Sequence, residues 1–502
     1  MLKKFFLIIS LIYFLPFSIV YAQNDSKAVK SADDKKKMIL QAIANETKKN
    51  KQPKYIKFLD ILQKAIEVDE SLKNAILNYE ASKEDALASR SVMYPDATLT
   101  LTGQEQDDVK PDAANDNYTQ REVKLEIKQS LYDFGENKAS IATSDLQSKQ
   151  KYLAINGARN SAILGAAQSY IGLKGAYSQL KIALESEGRL KKQTGLQDYR
   201  VRRGAAVASD VLQAKNALAG AVAARVMAQG NYELAVNDFK TKFDFVPDNP
   251  DLLLPINIPN TLIPKSRKDF KDAVFKNGDQ YKQAKIAYEI AQIAANKALA
   301  ENFLPSLDLT GTAHFKGNNA GTRGGKTEYI AKVELTYPIE LFGTQINKYN
   351  SSVKTGKAAA VTFRQAKRGV ENSVNSSWIS YVNTKMNQSN VMNQVEIARQ
   401  FLNNAQIAVK KGRGQMNLVV NAQNAFVNAQ KSLQSTNTNF AVQIYTLLSQ
   451  MGSLSVKNLQ NAVQAEVDIR KEQINLRNKK IKEFQENLKK NKKKNNKDKK
   501  SK

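Results

Sequence analysis

Four short segments of the chain alternate between apolar and polar residues with a period of two. Such alternation is typical of a β-strand that has one apolar and one polar face. Each segment approaches the ~9 to 11 residues that a tilted strand needs to cross a bilayer. We therefore predict four strands, which either cross a membrane or form a small soluble sheet with one face in water. The apolar members of the four segments are Ala97, Leu99 and Leu101; Val123, Leu125 and Ile127; Leu307, Leu309, Ala313 and Phe315; and Ala331, Val333, Leu335 and Tyr337.

Two proline-free stretches have the composition of very long helices. One runs from Gly135 to Gly204 and the other from Gly343 to Gly412, and the two glycines of each pair are 69 positions apart. Each stretch would be ~100 Å long as one continuous helix. Both are rich in Ala, Ser, Gln and Asn and carry narrow apolar stripes, which favours packing as a coiled coil. We expect Gly204 and Gly412 to end these helices in the left-handed conformation.

The same landmarks occur twice along the chain. One proline and two glycines recur with offsets of 208 to 210 residues: Pro95 with Pro305, Gly135 with Gly343, and Gly204 with Gly412. We predict a tandem duplication, with repeats at 56–241 and 269–465, each ordered helix, strand, strand, long helix, turn, long helix. Between them, residues 242–268 hold five of the eleven prolines. We expect this connector to be irregular, because proline interrupts both helices and central strands.

The two ends of the sequence differ from the repeats. Lys3 and Lys4 precede a short apolar run, and small residues follow at Val20 and Ala22. This pattern predicts an export signal at 1–22, with a retained anchor as the alternative. A polar segment follows at 23–55. At the other end, residues 466–502 are rich in lysine and asparagine, which predicts a solvated, disordered tail.

Composition excludes several classes of function. The chain has no cysteine and a single histidine, His314. Nucleophilic triads and zinc centres that need these residues are therefore not expected, and carboxylate-only chemistry stays open. We predict that the protein is not an enzyme and needs no metal or cofactor. The net charge is +28, but 477–502 alone hold 13 basic and 3 acidic residues, so we expect no nucleic-acid partner.

Four strands are too few to close a barrel. An open edge in lipid would leave unpaired backbone groups, each costing several kcal/mol. Eight strands are the smallest usual closed barrel, so membrane-spanning strands would have to be pooled by a dimer or trimer. The polar, glycine-containing segments 103–120 and 316–328 are expected to be loops on the outside. Aromatic residues near the strand ends would suit the two interfaces of a bilayer, and they are also common in cores.

The order of these parts resembles the TolC family of outer-membrane channel-tunnels. The resemblance covers residues 56–465 and is carried by "YPDATLTL", "SLYDFGENKA", "RRGAAVASDVLQAKNAL", "NFLPSLDLTG", "YPIELFG" and "KKGRGQMNLVVNAQNAF". It implies a mixed α and β membrane protein in the outer membrane of a Gram-negative-type cell. It also implies a homotrimer whose twelve strands form one barrel in outer-membrane lipid, continued by a periplasmic helical barrel. Such proteins are exit ducts for efflux pumps or type I secretion systems, joined by a periplasmic adaptor (membrane fusion protein) to an inner-membrane transporter.

The resemblance places a gate and an adaptor contact at the periplasmic hairpin tips. Asp210 matches the acid of the family's closing latch, whereas the latch arginine aligns with Gly414. We therefore predict Arg413 as the partner of Asp210, with Lys411 and Lys410 as alternatives. The two aspartates that ring the family's entrance are replaced here; the substituting residues are Leu418 and Asn421. The tip glycines are Gly204, Gly412 and Gly414, and the predicted kinks at the strand starts are Pro95 and Pro305.

A second function stays open at the level of sequence. An exported trimeric coiled-coil adhesin or structural stalk would also explain the long helices. It would not explain two separated pairs of strands in a duplicated chain. A soluble periplasmic adaptor would need a lipoyl-like β domain between paired helices, and the sequence shows none.

Overall fold

A computed structural model describes most of the two repeats. The described residues are 55–108, 116–204, 207–318, 324–411, 413–465 and 467–468. The predictions for the export signal, for nearly all of the segment 23–55, for Gly412 and for the tail beyond residue 468 lie outside these residues.

The first repeat contains two short helices, two strands and two long helices. The helices and strands are numbered in chain order. Their bounds are α1 Phe58–Val68, α2 Glu70–Arg90, β1 Asp96–Asp108, β2 Asp116–Tyr132, α3 Glu136–Arg202 and α4 Ala208–Phe243.

The second repeat has the same order of elements. Its bounds are α5 Arg267–Asn277, α6 Asp279–Phe303, β3 Ser306–Gly317, β4 Gly325–Thr336, α7 Thr344–Lys410 and α8 Met416–Gln450. Helices α1 and α5 have 11 residues each, and α3 and α7 have 67 residues each. The predicted duplicated fold of long helices and four strands is therefore confirmed.

One detail of the predicted order was wrong, since two helices, not one, precede the first strand of each repeat. Asp69 separates α1 from α2 in an extended conformation, and its carboxylate accepts a hydrogen bond from the Leu72 amide at 2.9 Å. Gly278 takes the corresponding place between α5 and α6. A single-residue interruption of this kind does not disturb the apolar periodicity, which explains why the sequence suggested one helix.

The four strands form one antiparallel sheet in the order β1-β2-β3-β4. The segments 103–120 and 316–328 were predicted as loops, and this prediction was largely wrong. Strand β1 continues to Asp108 and β2 already begins at Asp116, while β3 ends at Gly317 and β4 begins at Gly325. The strands are longer because backbone pairing continues beyond the apolar part of each strand.

The main core lies where helices of both repeats meet the connector. Its fully buried large side chains include Tyr170, Phe239, Phe270 and Tyr445, which come from α3, α4, α5 and α8. The connector contributes Leu253 and carries two 3-10 turns, at Pro250–Leu252 and Asn260–Leu262. Within the described part of the chain, no helix is both long and apolar enough to cross a membrane.

Candidate channel surfaces and gate

One face of the sheet is apolar and lies uncovered in a single chain. Leu99 pairs with Leu125 in the adjacent strand, and Leu309 pairs with Val333. All four belong to this face. Leu101 is on the edge strand β1 and is 70% exposed, and Leu335 is on the other edge strand, β4, and is 66% exposed. Large exposed apolar surfaces of this kind mark contact with another chain or with lipid.

The opposite face of the sheet carries alternating lysines and carboxylates. Lys128 on β2 lies 3.0 Å from the carboxylate of Asp308 on β3, and Lys316 lies 3.1 Å from that of Glu328 on β4. His314 is on the same face, with Nε2 3.5 Å from a carboxylate oxygen of Glu122. This face is therefore polar and crossed by ion pairs between strands, which suits contact with water. The alternation of apolar residues with residues such as Lys124, Glu126 and Lys128 predicted a polar face, but not the pairs that its side chains form.

The sheet has two open edges. Strands β1 and β4 are its terminal strands, so each has a described neighbour on one side only. Pro95 lies immediately before β1, and Pro305 lies immediately before β3. Both prolines thus stand between a helix end and a strand start, at the positions where the sequence predicted kinks.

The turns from strand to long helix use a glycine with a positive φ. Gly135 has φ of 95° and Gly343 has φ of 79°, a left-handed conformation that side chains rarely adopt. An acid before each glycine satisfies free amides of the helix start. The Asp133 carboxylate accepts from the amides of Gly135 and Asn137, and the Glu340 carboxylate accepts from the Gln345 amide at 2.7 Å. The sequence analysis missed these two acids, although each stands two or three residues before its glycine.

At the first hairpin tip, Gly204 lies two residues after the end of α3 and has φ of 71°. This agrees with the left-handed glycine expected there. Asp210 lies in the first turn of α4, where a carboxylate is favoured by the helix dipole. No ion pair joins Asp210 to Arg413, Lys411 or Lys410 among the described residues of one chain. The latch therefore stays a prediction.

At the second hairpin tip, the chain packs tightly onto the end of α7. A Cβ placed on Gly414 would lie 3.1 Å from Cβ of Ala408 and 3.2 Å from the amide nitrogen of Val409. The Arg413 amide donates to the Ala408 carbonyl oxygen at 2.9 Å, and its side chain is exposed. Gly414 thus permits a close turn that a larger residue would displace. Lys410 and Lys411 are also exposed.

The start of α8 has one buried and one open side. Met416, Val419 and Val420 pack into a small apolar cluster with Leu402 and Ala405 of α7. On the open side lie Leu418 and Asn421, the two residues predicted to line the entrance, both exposed in the single chain. The structure thus places all of the described gate candidates at or near the two hairpin tips.

Comparison with known proteins gives the family. The sequence profile of the outer membrane efflux protein family matches residues 61–241 and 280–453, one match in each repeat. A search of curated protein sequences returned no significant match.

Several solved structures share the fold. A membrane protein from Pseudomonas aeruginosa is 17% identical with a TM-score of 0.70, covering 78% of this chain and 93% of that one. The Campylobacter jejuni CmeC outer membrane channel is 16% identical with a TM-score of 0.68, covering 80% and 89%. The Vibrio cholerae outer membrane protein VceC is 17% identical with a TM-score of 0.67, covering 79% and 96%. With a profile match in both repeats and a duplicated fold of strands and long helices, the chain belongs to the outer membrane efflux protein family.

Proposed function

We propose that three copies of this chain form an outer-membrane exit duct. Each copy contributes its four strands to one twelve-stranded barrel, and the long helical hairpins continue the duct into the periplasm. A periplasmic adaptor and an inner-membrane transporter complete the assembly, which serves an efflux pump or a type I secretion system.

The observation that carries this proposal is the four-stranded sheet with one uncovered apolar face and two open edges. In a bilayer, the unpaired backbone groups of an open edge would each cost several kcal/mol. Additional copies remove this cost by pairing β4 of one copy with β1 of the next. The apolar face then contacts lipid and the face with the ion pairs lines the water-filled interior.

The long helices supply the periplasmic part. Helices α3 and α7 each have 67 residues, so each spans ~100 Å at the usual helical rise. Their thin apolar seams suit packing around a tunnel rather than a solid core. Membership in a family of efflux proteins favours this duct over the exported stalk, and it argues against an enzymatic activity.

Chemical cross-linking in mild detergent and conductance in a planar bilayer test the proposal together. We expect cross-linked trimers and discrete channel openings, with unfolded protein as the control for both. Only monomers on cross-linking, with the strand content preserved, would contradict the pooled barrel. Trimers without any conductance would contradict the duct and favour a structural stalk.

A further inference from the structure

The pairing inside one chain includes a junction of the kind that would form between two chains. The four strands come from two equivalent hairpins, β1-β2 and β3-β4. The contact of β2 with β3 therefore joins the last strand of one repeat to the first strand of the next. In a closed ring of copies, β4 of one copy meets β1 of its neighbour, which is the same kind of junction.

The two hairpins pair their strands in equivalent registers. A shift of 210 takes β1 onto β3, as Pro95 and Pro305 indicate, and a shift of 208 takes β2 onto β4, as Gly135 and Gly343 indicate. These shifts carry the observed pair of Leu99 with Leu125 onto Leu309 with Val333.

A second pair gives the same result. The shifts carry Ala97 with Ile127 onto Leu307 with Leu335, which is again an observed pair. The two offsets therefore describe strand pairing and not only sequence similarity.

We infer that the same two offsets fix the pairing between neighbouring copies, so that Thr336 of one copy lies opposite Thr100 of the next. The inference rests on the proposed ring of copies and specifies its interface. It follows from Lys128, which pairs with Thr310 inside the chain. Adding 208 to the first residue and subtracting 210 from the second gives Thr336 and Thr100.

The adjacent pairs that follow are chemically consistent. Leu335 lies opposite Leu101, and Tyr337 lies opposite Leu99, so the apolar face continues across the interface. Thr336 and Thr100 lie on the polar face, where two hydroxyl groups can hydrogen-bond across the strands. A shift by one residue would turn apolar side chains of one strand to the polar face of the other.

Shifts by two residues preserve the faces, and polarity does not distinguish them. In one direction Val333 would lie opposite Glu105, but in the inferred register Glu105 lies opposite Ala331, which is also apolar. In the other direction Leu335 would lie opposite Leu99. Only the repeat offsets select the inferred register over these two arrangements, so the experiment has to distinguish all three.

The chain is well suited to such an experiment because it contains no cysteine. Three variants combine Thr336→Cys with Thr100→Cys, with Thr98→Cys or with Thr102→Cys. All three partners are threonines on the same face of the same strand. Directly opposite residues have Cβ atoms ~4.5 to 5.5 Å apart, and diagonal residues have them ~7 to 8 Å apart. A disulfide needs a Cβ separation of ~3.5 to 4.5 Å, so only the directly opposite pair comes close enough to be linked.

We expect oxidation of the full-length trimer to link three copies covalently in the Thr100 variant, seen as a trimer band on a denaturing, non-reducing gel. The Thr98 and Thr102 variants should remain mostly monomeric on the same gel. Lys128→Cys with Thr310→Cys provides a positive control, because it is the equivalent pair within one chain and should lose its free thiols on oxidation.

The outcomes separate the register from the assembly. Preferential linkage through Thr98 or Thr102 would overturn the register while supporting the ring. Equal linkage of all three variants would also overturn the register. The same holds if no variant is linked in a protein that is trimeric and whose control pair oxidises. A protein that is monomeric before oxidation would instead contradict the proposed function.

Discussion

The hydroxyl of Tyr170 in α3 lies 2.6 Å from the backbone carbonyl oxygen of Leu254 in the connector. It also lies 3.0 Å from the carbonyl oxygen of Ile56, and the ring is fully buried against Phe58. The Leu254 amide in turn donates to the Ile56 carbonyl oxygen at 3.0 Å. A single side chain on the long helix thus holds two separate backbone segments.

Removal of this hydroxyl should weaken the fold. We expect Tyr170→Phe to lower the free energy of unfolding by ~1 to 3 kcal/mol, because the Leu254 carbonyl oxygen loses this donor and the Ile56 carbonyl oxygen keeps only the Leu254 amide. Tyr199→Phe is the matched control, since Tyr199 is on the same helix and 52% exposed. Thermal unfolding followed by helical circular dichroism measures both. Equal midpoints for the two variants would contradict the proposed role of Tyr170.

A pH dependence is expected at the junction of the two repeats. The Asn160 side chain donates to the Asp279 carboxylate at 3.0 Å, and burial raises the pKa of Asp279 above its ordinary value. Because the folded state favours the protonated acid, Asp279 lowers stability once the pH exceeds the ordinary pKa of about 3.8.

We therefore expect Asp279→Asn to be more stable than the unmodified protein at pH 7, with the advantage shrinking as the pH falls to 4. Denaturant unfolding at a series of pH values measures the difference. The amide keeps an oxygen that can accept from Asn160. An advantage that grew on acidification would show that the charged carboxylate is the favoured form.

Close packing of α3 against α8 depends on one glycine. A Cβ placed on Gly175 would lie 2.8 Å from Oγ1 of Thr438, whereas a Cβ on Gly172 would meet nothing within 4 Å. We expect Gly175→Ala to destabilise the protein by ~1 to 3 kcal/mol through overpacking. Gly172→Ala should instead stabilise it by up to ~1 kcal/mol through helix propensity. Adding Thr438→Ala should restore much of the loss, and a double variant no better than Gly175→Ala would place the defect elsewhere.

The predicted latch at the tips is testable by conductance. If Asp210 is held by Arg413 in the closed state, Asp210→Ala and Arg413→Ala should each give larger openings, and the double variant little more. One exposed pair contributes ~0.2 to 1 kcal/mol, so three pairs shift the closed state by up to ~3 kcal/mol. Single-channel recording measures the openings. Unchanged conductance in both single variants would mean that another contact keeps the channel closed, and Lys410→Ala and Lys411→Ala then test the neighbouring cations.

The replacement of acidic entrance residues predicts weak block by polyvalent cations. If Leu418 and Asn421 line the entrance of a trimer, they give it none of the six carboxylates that two acidic positions would supply. We expect strong block by trivalent cations to appear in the double variant Leu418→Asp with Asn421→Asp, and not in the uncharged control Leu418→Asn. Planar-bilayer recording with cations on the periplasmic side measures it. Strong block of the unmodified channel would show that other acidic residues supply the negative charge that attracts the cations.

The sequence predicted elements that depend on local periodicity. The strands followed from alternation such as Leu99, Thr100 and Leu101, and the long helices followed from 69 residues without proline. The ends of the strands could not be predicted in this way. The residues around Asp108 and Asp116 do not alternate between apolar and polar. They belong to strands because their backbones continue the antiparallel pairing of β1 with β2.

The positions of the hairpin tips were predictable from the sequence, whereas the contacts of the predicted gate were not. Gly204 marks the first tip because glycine readily adopts the left-handed conformation that follows the long helix there. Whether Asp210 meets a cation depends on how copies pack around an axis, which a single chain does not contain. The ion pairs across the sheet, such as Lys128 with Asp308, depend on strand order, which alternation alone does not specify.

The uncovered apolar face of the sheet also constrains the order of biogenesis. A chain that folded this sheet alone in water would present Leu101 and Leu335 to every similar surface nearby, along with two edges able to capture any extended strand. The helical hairpins have no unpaired strand edge, and their core around Tyr170 and Tyr445 closes within one chain. We therefore expect the strands to fold last, at the bilayer and together with the strands of other copies, so that insertion and assembly become a single step.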